Sequence, residues 1–329
     1  MPLIFFVSGA GTYFAMQSRG RTFLMDRFKR LLIPFFFGIL ILIPPQKYYE
    51  YLFNQNTYLS FKAFLQIYPN QLTNANNGWN LTWFGLLGYH IWYLPYLFVQ
   101  TLFALPLFRW LLKRKLKEPF LSFHIYWLFI PLILINIILR PFFPQYLHWA
   151  DFAHFFFFFV LGFYFVKFRQ QITPQLLKSL KWFVAIAIIT SLLTHYFALF
   201  SSYMIKWMDR PDSSWDYIGF LVIRSTNSLA WMWSFVGLFI LYFDKKHSIL
   251  PKLNEAVLPI YLLHQTFIIA FGFYIVKLSW PMFLKFGVIL LLSIVAMLFT
   301  YTIIKRVKPL RFLFGMKNLK FVKYVKQNA

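Results

Sequence analysis

The chain has 329 residues, of which 60% are hydrophobic and 13% charged, with 45 Phe, no Cys and a formal net charge of +24. So much apolar surface excludes a soluble globular protein, and the lack of Cys excludes disulfides, thiolate nucleophiles and cysteine-ligated metals. We interpret the positive charge as a membrane-topology signal, so it implies no nucleic-acid partner.

Nine apolar stretches follow one another along the chain, each close to the roughly 20 residues that cross about 30 Å of hydrocarbon. No flexible linker or soluble insert separates them. We therefore predict a single all-α domain over residues 1–329, a polytopic integral membrane helix bundle with nine spans. The predicted spans cover residues 1–16, 31–53, 90–112, 121–139, 152–168, 182–205, 226–243, 256–276 and 282–304.

The basic residues are distributed unevenly between the connections of these spans. Of the 33 Lys and Arg, 25 fall in alternate connections and in the tail that begins at Lys305. Cytoplasmic loops carry an excess of Lys and Arg in membrane proteins. The pattern therefore predicts a cytoplasmic carboxyl terminus, an external Met1 and an external connection over residues 54–88.

Arg27 and Arg30 lie three residues apart just before the second span, on what we predict to be one helix face at the cytoplasmic boundary. Guanidinium groups bind phosphate oxygens in a bidentate manner, so the pair is a candidate phosphate-binding site. The alternative interpretation is ordinary anchoring to anionic lipid headgroups.

His148, Asp151 and His154 stand three residues apart at the external start of the fifth span, on roughly one helix face. Two imidazoles and a carboxylate can hold a metal, but no fourth ligand or supporting shell is evident, so we predict no metal site. The alternatives are a polar helix start, or a His154 oriented by Asp151 that serves an acceptor hydroxyl as base. His90, beside Trp92, is an interfacial aromatic neighbour or a substrate-positioning residue.

Arg224, Asn227 and Trp231 follow one stripe on the outer half of the seventh span. A lone Arg that enters a membrane span needs an anion or backbone carbonyls, and Asp216 or Asp151 is the expected partner. We predict either a structural ion pair or a site in which Arg224 and Asn227 position substrate.

His264 lies in the middle of the eighth span, and Tyr261 precedes it by three residues on the same face. An ionisable residue this deep in a membrane is a functional candidate. His264 can accept a hydroxyl proton as a general base or orient a neighbour that does so. The alternative is a neutral His that bonds to a backbone carbonyl across helices.

Other catalytic signatures are missing from the sequence. Ser8 lies in a VSGAG segment rather than in a G-x-S-x-G elbow, which gives no support to a serine hydrolase. None of the seven His is followed by Asp five residues on, and no phosphate-binding glycine loop occurs.

Five segments, taken in their order, resemble the membrane acyltransferase-3 family, and most of all its branch named for glucan biosynthesis protein C. The resemblance covers nearly the whole chain. The segments are FFVSGAG (residues 5–11), DRFKRLLIP (26–34), WYLPYLFV (92–99), LPIYLLHQ (258–265) and KPLRFLFGMK (308–317).

The resemblance implies an enzyme of the bacterial inner membrane that transfers acyl groups other than amino-acyl groups. The acyl group would pass from a cytoplasmic acyl-CoA donor to a hydroxyl of an envelope glycan or another external acceptor, as in glucan modification, with no tightly bound cofactor. Arg27 and Arg30 match the family's donor-associated Arg-x-x-Arg element, and Tyr261 with His264 matches its tyrosine-leucine-x-histidine element. A membrane transporter or flippase for a glycan or lipid-linked substrate is the alternative, because it also uses kinked helices and sparse buried polar groups.

Members of this family begin with one further helix that carries an Arg and a catalytic His, so ten spans are expected in the full-length family. We therefore expect the chain as given to fold but to transfer little acyl group, with His264 the best remaining base. We also expect an open groove beside residues 2–14, lined by Ser8, Gly9 and Gly11, where small residues let a helix approach closely.

Overall fold

The computed structural model describes residues 1–55, 58–73, 81–113, 124–200, 214–245 and 247–316, and none of these lies in a β-strand. A π-helical turn, Gly38–Leu42, joins α2 to α3, and a single 3-10 turn, Tyr89–Trp92, joins α5 to α6. In chain order the α-helices are α1 (Pro2–Arg19), α2 (Phe23–Phe37), α3 (Ile43–Gln55), α4 (Phe61–Thr73), α5 (Trp83–Gly88), α6 (Tyr93–Lys113), α7 (Phe129–Leu139), α8 (Trp149–Lys167), α9 (Arg169–Phe200), α10 (Trp215–Phe243), α11 (Leu250–Ile275), α12 (Met282–Ile304) and α13 (Lys308–Leu313).

The predicted apolar stretches fall on these helices, which confirms an all-α polytopic membrane bundle. The first stretch corresponds to α1 and the fourth to the shorter apolar segment Ile125–Leu139. The end of the sixth stretch, residues 201–205, lies outside the described residues. Within the described part, seven helical segments are long and apolar enough to cross a membrane: Phe23–Gln55, Trp83–Lys113, Trp149–Lys167, Arg169–Phe200, Trp215–Phe243, Leu250–Ile275 and Met282–Ile304.

The chain divides into two compact units, each built from two stretches of sequence. The first unit comprises Met1–Phe23 and Val99–Lys245, and the second comprises Leu24–Phe98 and Lys246–Ala329. The candidate residues divide between them. Asp151, His154 and the α10 stripe belong to the first unit, whereas the two donor-site arginines, His90 and the α11 pair belong to the second.

In the first unit, glycines hold α1 and α8 in close contact. A Cβ atom added at Gly9 would collide with the Phe159 carbonyl, and one added at Gly162 would collide with the Phe6 carbonyl. Small residues permit this close approach of two helices. The expectation that Gly9 lines an open groove is therefore wrong, because α8 occupies that side of α1. Gly11, by contrast, faces open space.

In the second unit, glycines fix the short turn that precedes α6. A Cβ atom at Gly38 would lie 2.4 Å from its nearest Ile91 side-chain atom, and the space beside Gly88 is filled by the Phe35 ring. Tyr89 then adopts a positive φ of 50°, a conformation that non-glycine residues rarely take. This tight turn against α2 and the π-helical turn sets the position of His90.

Candidate functional site

His90 stands on the 3-10 turn Tyr89–Trp92, where its ring faces α11. Its Nε2 donates a hydrogen bond of 3.1 Å to the backbone carbonyl of Leu262, because a carbonyl can only accept. The Nδ1 atom is buried and has no hydrogen-bond partner among the described residues. His90 therefore carries a proton on Nε2 and leaves Nδ1 without a hydrogen bond.

His264 lies beside it, one turn along α11 from Tyr261. The ring centroids of His90 and His264 are 5.3 Å apart, with the rings at 83° to each other. His264 Nδ1 donates to the Tyr261 carbonyl at 2.6 Å, which places the ring's lone pair on Nε2. The Tyr261 hydroxyl in turn donates to the His90 carbonyl at 2.6 Å. Backbone carbonyls thus fix both tautomers and leave each ring one basic nitrogen.

A second set of polar contacts joins α11 to α3 and to the π-helical turn that precedes it. Gln46 Nε2 donates to Thr266 Oγ1 and to the Leu42 carbonyl, at 2.8 Å in each case. Thr266 also donates to the Leu42 carbonyl at 3.3 Å. Leu42 ends the π-helical turn Gly38–Leu42, and such turns free a carbonyl for side-chain contacts and are frequent at functional sites. His264 therefore lies on a helix that is held in place by these polar contacts.

A comparison with protein-family models shows which family the chain belongs to. The model of an acyltransferase domain, that of the acyltransferase-3 family, matches residues 1–304. The chain belongs to the acyltransferase-3 family. No curated protein and no solved structure matches it. In an acyltransferase-3 protein, two imidazoles with free basic nitrogens inside a membrane bundle are candidates for proton transfer during acyl transfer.

Arg27 and Arg30 both lie on α2, as the sequence predicts. Arg27 is half-buried and Arg30 exposed, so a guanidinium remains accessible at this end of the helix. The segment after α13 packs against the same turn, because a Cβ atom at Gly315 would lie 2.7 Å from the Arg30 carbonyl and 2.9 Å from Pro34. The structure thus brings the two arginines together beside a carboxyl-terminal motif of this acyltransferase-3 chain.

Arg311 holds that motif in place, and the sequence analysis assigned it no contact. It is 4% exposed, donates to Glu255 at 2.7 Å and donates to the Lys305 carbonyl at 3.1 Å. Two backbone hydrogen bonds end α13: the Gly315 amide donates to the Phe312 carbonyl, and the Met316 amide donates to the Arg311 carbonyl. This is the Schellman pattern, which a glycine at positive φ permits. Residues 308–316 of this motif therefore form a folded segment, the carboxyl-terminal plug, beside Arg30.

In the first unit, Asp151 is buried at the start of α8 and forms an ion pair with Arg140. Its second oxygen accepts from the backbone amide of Leu147 at 2.9 Å. That bond restrains a residue with a positive φ of 63°. The Asp151 carboxylate is thus satisfied by a cation and an amide, which is the condition for keeping a charge buried.

His154 does not contact Asp151 but bonds to α7. The Asn136 side-chain amide donates to His154 Nδ1 at 3.0 Å, so the remaining proton of this imidazole lies on Nε2. His154 and Asn136 are both buried. The hypothesis that Asp151 orients His154 as a base is therefore wrong, because Asp151 is paired with Arg140 and His154 is bonded to Asn136. Arg140 and Asn136 were missed by the sequence analysis, although polar residues four apart at the end of an apolar helix were a detectable signal.

The stripe of Arg224, Asn227 and Trp231 on α10 makes contacts of two kinds. Asn227 donates to Ser191 Oγ at 2.7 Å and to Thr190 Oγ1 at 3.0 Å, and Trp231 Nε1 donates to Ser191 Oγ at 2.8 Å, so both hold α10 against α9. Arg224 instead lies in electrostatic range of Asp151 and of Arg140. Asp151 is thus near Arg224, as expected, but its direct ion pair is with Arg140.

His148 caps α8 through a bond from the Trp149 amide to its Nδ1 at 2.8 Å. Partial burial lowers the pKa of His148, and the nearby Asp151 carboxylate opposes that shift. It therefore belongs to the helix start, one of the predicted alternatives. Among the described residues, no three His, Asp or Glu side chains converge as metal ligands.

Proposed function

We propose that this chain is an integral-membrane O-acyltransferase that moves an acyl group from a cytoplasmic acyl-CoA-type thioester to a hydroxyl of an envelope glycan or another external acceptor. The single observation that carries the proposal is the His90 and His264 pair, in which backbone carbonyls fix both tautomers and leave one basic nitrogen on each ring. The family supplies the reaction type.

The pair supplies the proton transfers that acyl transfer needs. His264 Nε2 takes the proton of the acceptor hydroxyl as that oxygen forms a bond to the thioester carbonyl carbon. The carbon–sulfur bond breaks, and the proton passes to the departing thiolate, so the ester and the free thiol are the products. The lone-pair nitrogen of His90 lies in the same cluster and can hold this one proton before it reaches the thiolate. Tyr261 positions His90 through its backbone carbonyl.

The donor site in this proposal is the α2 end that carries Arg27 and Arg30. Two guanidinium groups on one helix face suit the phosphates of an acyl-CoA co-substrate. Arg30 and Leu42 are separated by roughly 18 Å along a helix with a rise of 1.5 Å per residue. The thioester arm therefore has to enter the membrane interior to reach the polar contacts around α11.

The acceptor side rests on the charge distribution and on the resemblance to the glucan biosynthesis protein C branch. The connection over residues 54–88 carries few basic residues and faces outward in the predicted topology. A glycan hydroxyl that approaches from that side, in the bacterial inner membrane, meets the imidazole pair without crossing the basic face. The specific reaction we infer is the transfer of an acyl group other than an amino-acyl group to a periplasmic glucan.

The test uses sealed membrane vesicles from cells that express the protein. Radiolabelled acyl-CoA is supplied on the cytoplasmic side only, and acyl ester is measured on acceptor glycan on the other side. We expect transfer in vesicles with the unchanged protein and none with His264→Gln. Movement of acceptor across the membrane without ester formation would overturn the proposal in favour of a transporter.

A further inference from the structure

The first unit gathers more positive than negative charge around Asp151. Among the described residues, Asp151 is the one carboxylate in electrostatic range of Arg224, whereas Arg140 lies close to both of them. Two guanidinium groups thus share one carboxylate. Ionised groups inside a membrane protein are costly unless they are paired, so this cluster lacks one negative charge.

Arg140 has a donor that a further anion could satisfy. Its residue exposure is 5%, and while one terminal nitrogen bonds Asp151, its Nε is buried with no hydrogen-bond partner among the described residues. Guanidinium groups present five donors in a fixed fork, and a buried donor left unpaired is destabilising. An arriving acceptor oxygen would satisfy Nε.

Arg224 provides the open side of the same cluster. Arg224 is exposed on the protein surface and forms no ion pair within the described part of the chain. Tyr146 is also exposed and lies in electrostatic range of Asp151. Asp151 itself is fully occupied, since its two oxygens accept from Arg140 and from the Leu147 amide. The cluster therefore has one buried and one accessible cation, and among the described residues no further carboxylate lies in range to neutralise the second.

We propose that Arg140 and Arg224 form an oxyanion-binding site in the first unit, one that takes the carboxylate or phosphate group of a ligand between the two guanidiniums. Guanidinium forks match the planar geometry of carboxylate and the oxygens of phosphate. The ligand oxyanion neutralises the second cation and accepts from Nε of Arg140. The group can come from a lipid headgroup or from a soluble ligand.

The test measures thermal unfolding of the protein in nanodiscs of neutral phosphatidylcholine, titrated with potassium phosphate or with potassium chloride at matched ionic strength. We expect phosphate to raise the unfolding temperature in a saturable manner and chloride to leave it unchanged. Arg224→Gln should raise the half-saturating phosphate concentration by about tenfold or more, because a charge-assisted bond is lost. Arg224→Lys, which keeps the charge but loses the fork, should lie between the two.

Arg169→Gln is the matched control, since it removes one exposed Arg of the same unit that is paired with Asp244 outside the cluster. Its phosphate response should equal that of the unchanged protein. In nanodiscs with phosphatidylglycerol, a diminished phosphate response identifies a lipid headgroup as the source, and an undiminished one identifies a soluble ligand. Equal responses of the unchanged protein and Arg224→Gln, or equal effects of phosphate and chloride, would overturn the proposal.

Discussion

The two units bury polar groups in opposite ways. The first unit pairs Asp151 with Arg140 and the Leu147 amide, whereas the second bonds His90 and His264 each to a backbone carbonyl. A buried charge must be paired to be tolerated, but an imidazole can be held by one hydrogen bond and keep its other nitrogen for proton transfer. We therefore expect the first arrangement to matter most for stability and the second for activity.

The largest expected effect is on activity in the second unit. His264→Gln removes the proposed base, so we expect the transfer rate to fall by roughly 10² to 10⁴-fold. Little stability should be lost, because the replaced hydrogen bond is worth about 1 kcal/mol. Acyl-ester formation and denaturant unfolding of the same preparation measure the two effects.

His90→Gln and the double variant sharpen this result. If the rings act as a unit, the double variant should be scarcely slower than His264→Gln alone, because effects within one catalytic group are not additive. Multiplicative losses would show that the two rings act separately. His154→Gln in the first unit is the control and should retain activity.

The next largest effect is on the stability of the first unit. Asp151→Asn leaves Arg140 buried without its counter-charge, and we expect the free energy of unfolding to fall by about 3 to 5 kcal/mol. Asp244→Asn breaks the exposed pair with Arg169, which should cost at most about 1 kcal/mol. Reversible unfolding in detergent micelles compares the two variants, and losses of equal size would contradict the distinction between buried and exposed pairs.

A smaller effect is expected at the proposed donor site. Arg27→Ala and Arg30→Ala each remove a charge-assisted phosphate contact worth about 1.5 to 3 kcal/mol, so the KM for acyl-CoA should rise roughly tenfold or more. Lys29→Ala removes the same charge between them and is the matched control. A similar KM increase in all three variants would point to general attraction by the basic face instead of a bidentate site.

The smallest effect concerns the carboxyl-terminal plug. Gly315 has a φ of 66° and lies against the Arg30 carbonyl, so Gly315→Ala should destabilise the second unit by about 1 to 2 kcal/mol. Gly11→Ala in α1 meets open space and should be neutral or slightly stabilising. Thermal unfolding of both variants checks this, and a raised acyl-CoA KM in Gly315→Ala would tie the plug to the donor site.

Helix positions and the uneven basic charge could be predicted because both are local properties of the sequence. A membrane-length apolar stretch has to be helical, since no water in the bilayer can satisfy its backbone groups. The helical spacing of Arg27 with Arg30, and of Tyr261 with His264, follows from the same periodicity. The sequence also showed His90 and Asp151 to be chemically unusual for membrane segments.

Only the tertiary structure decided which of these residues meet. Nothing in the spacing of His90 and His264 indicates that a turn containing closely packed glycines brings their ring centroids to 5.3 Å from each other. Likewise, Asp151 forms its ion pair with Arg140 rather than with the partners expected from the sequence. Partner choice depends on packing between helices from distant parts of the chain, where Gly9, Gly38 and Gly88 set the distances. The sequence by itself thus determined which segments cross the membrane and which groups are costly to bury, whereas helix packing decided how each costly group is satisfied.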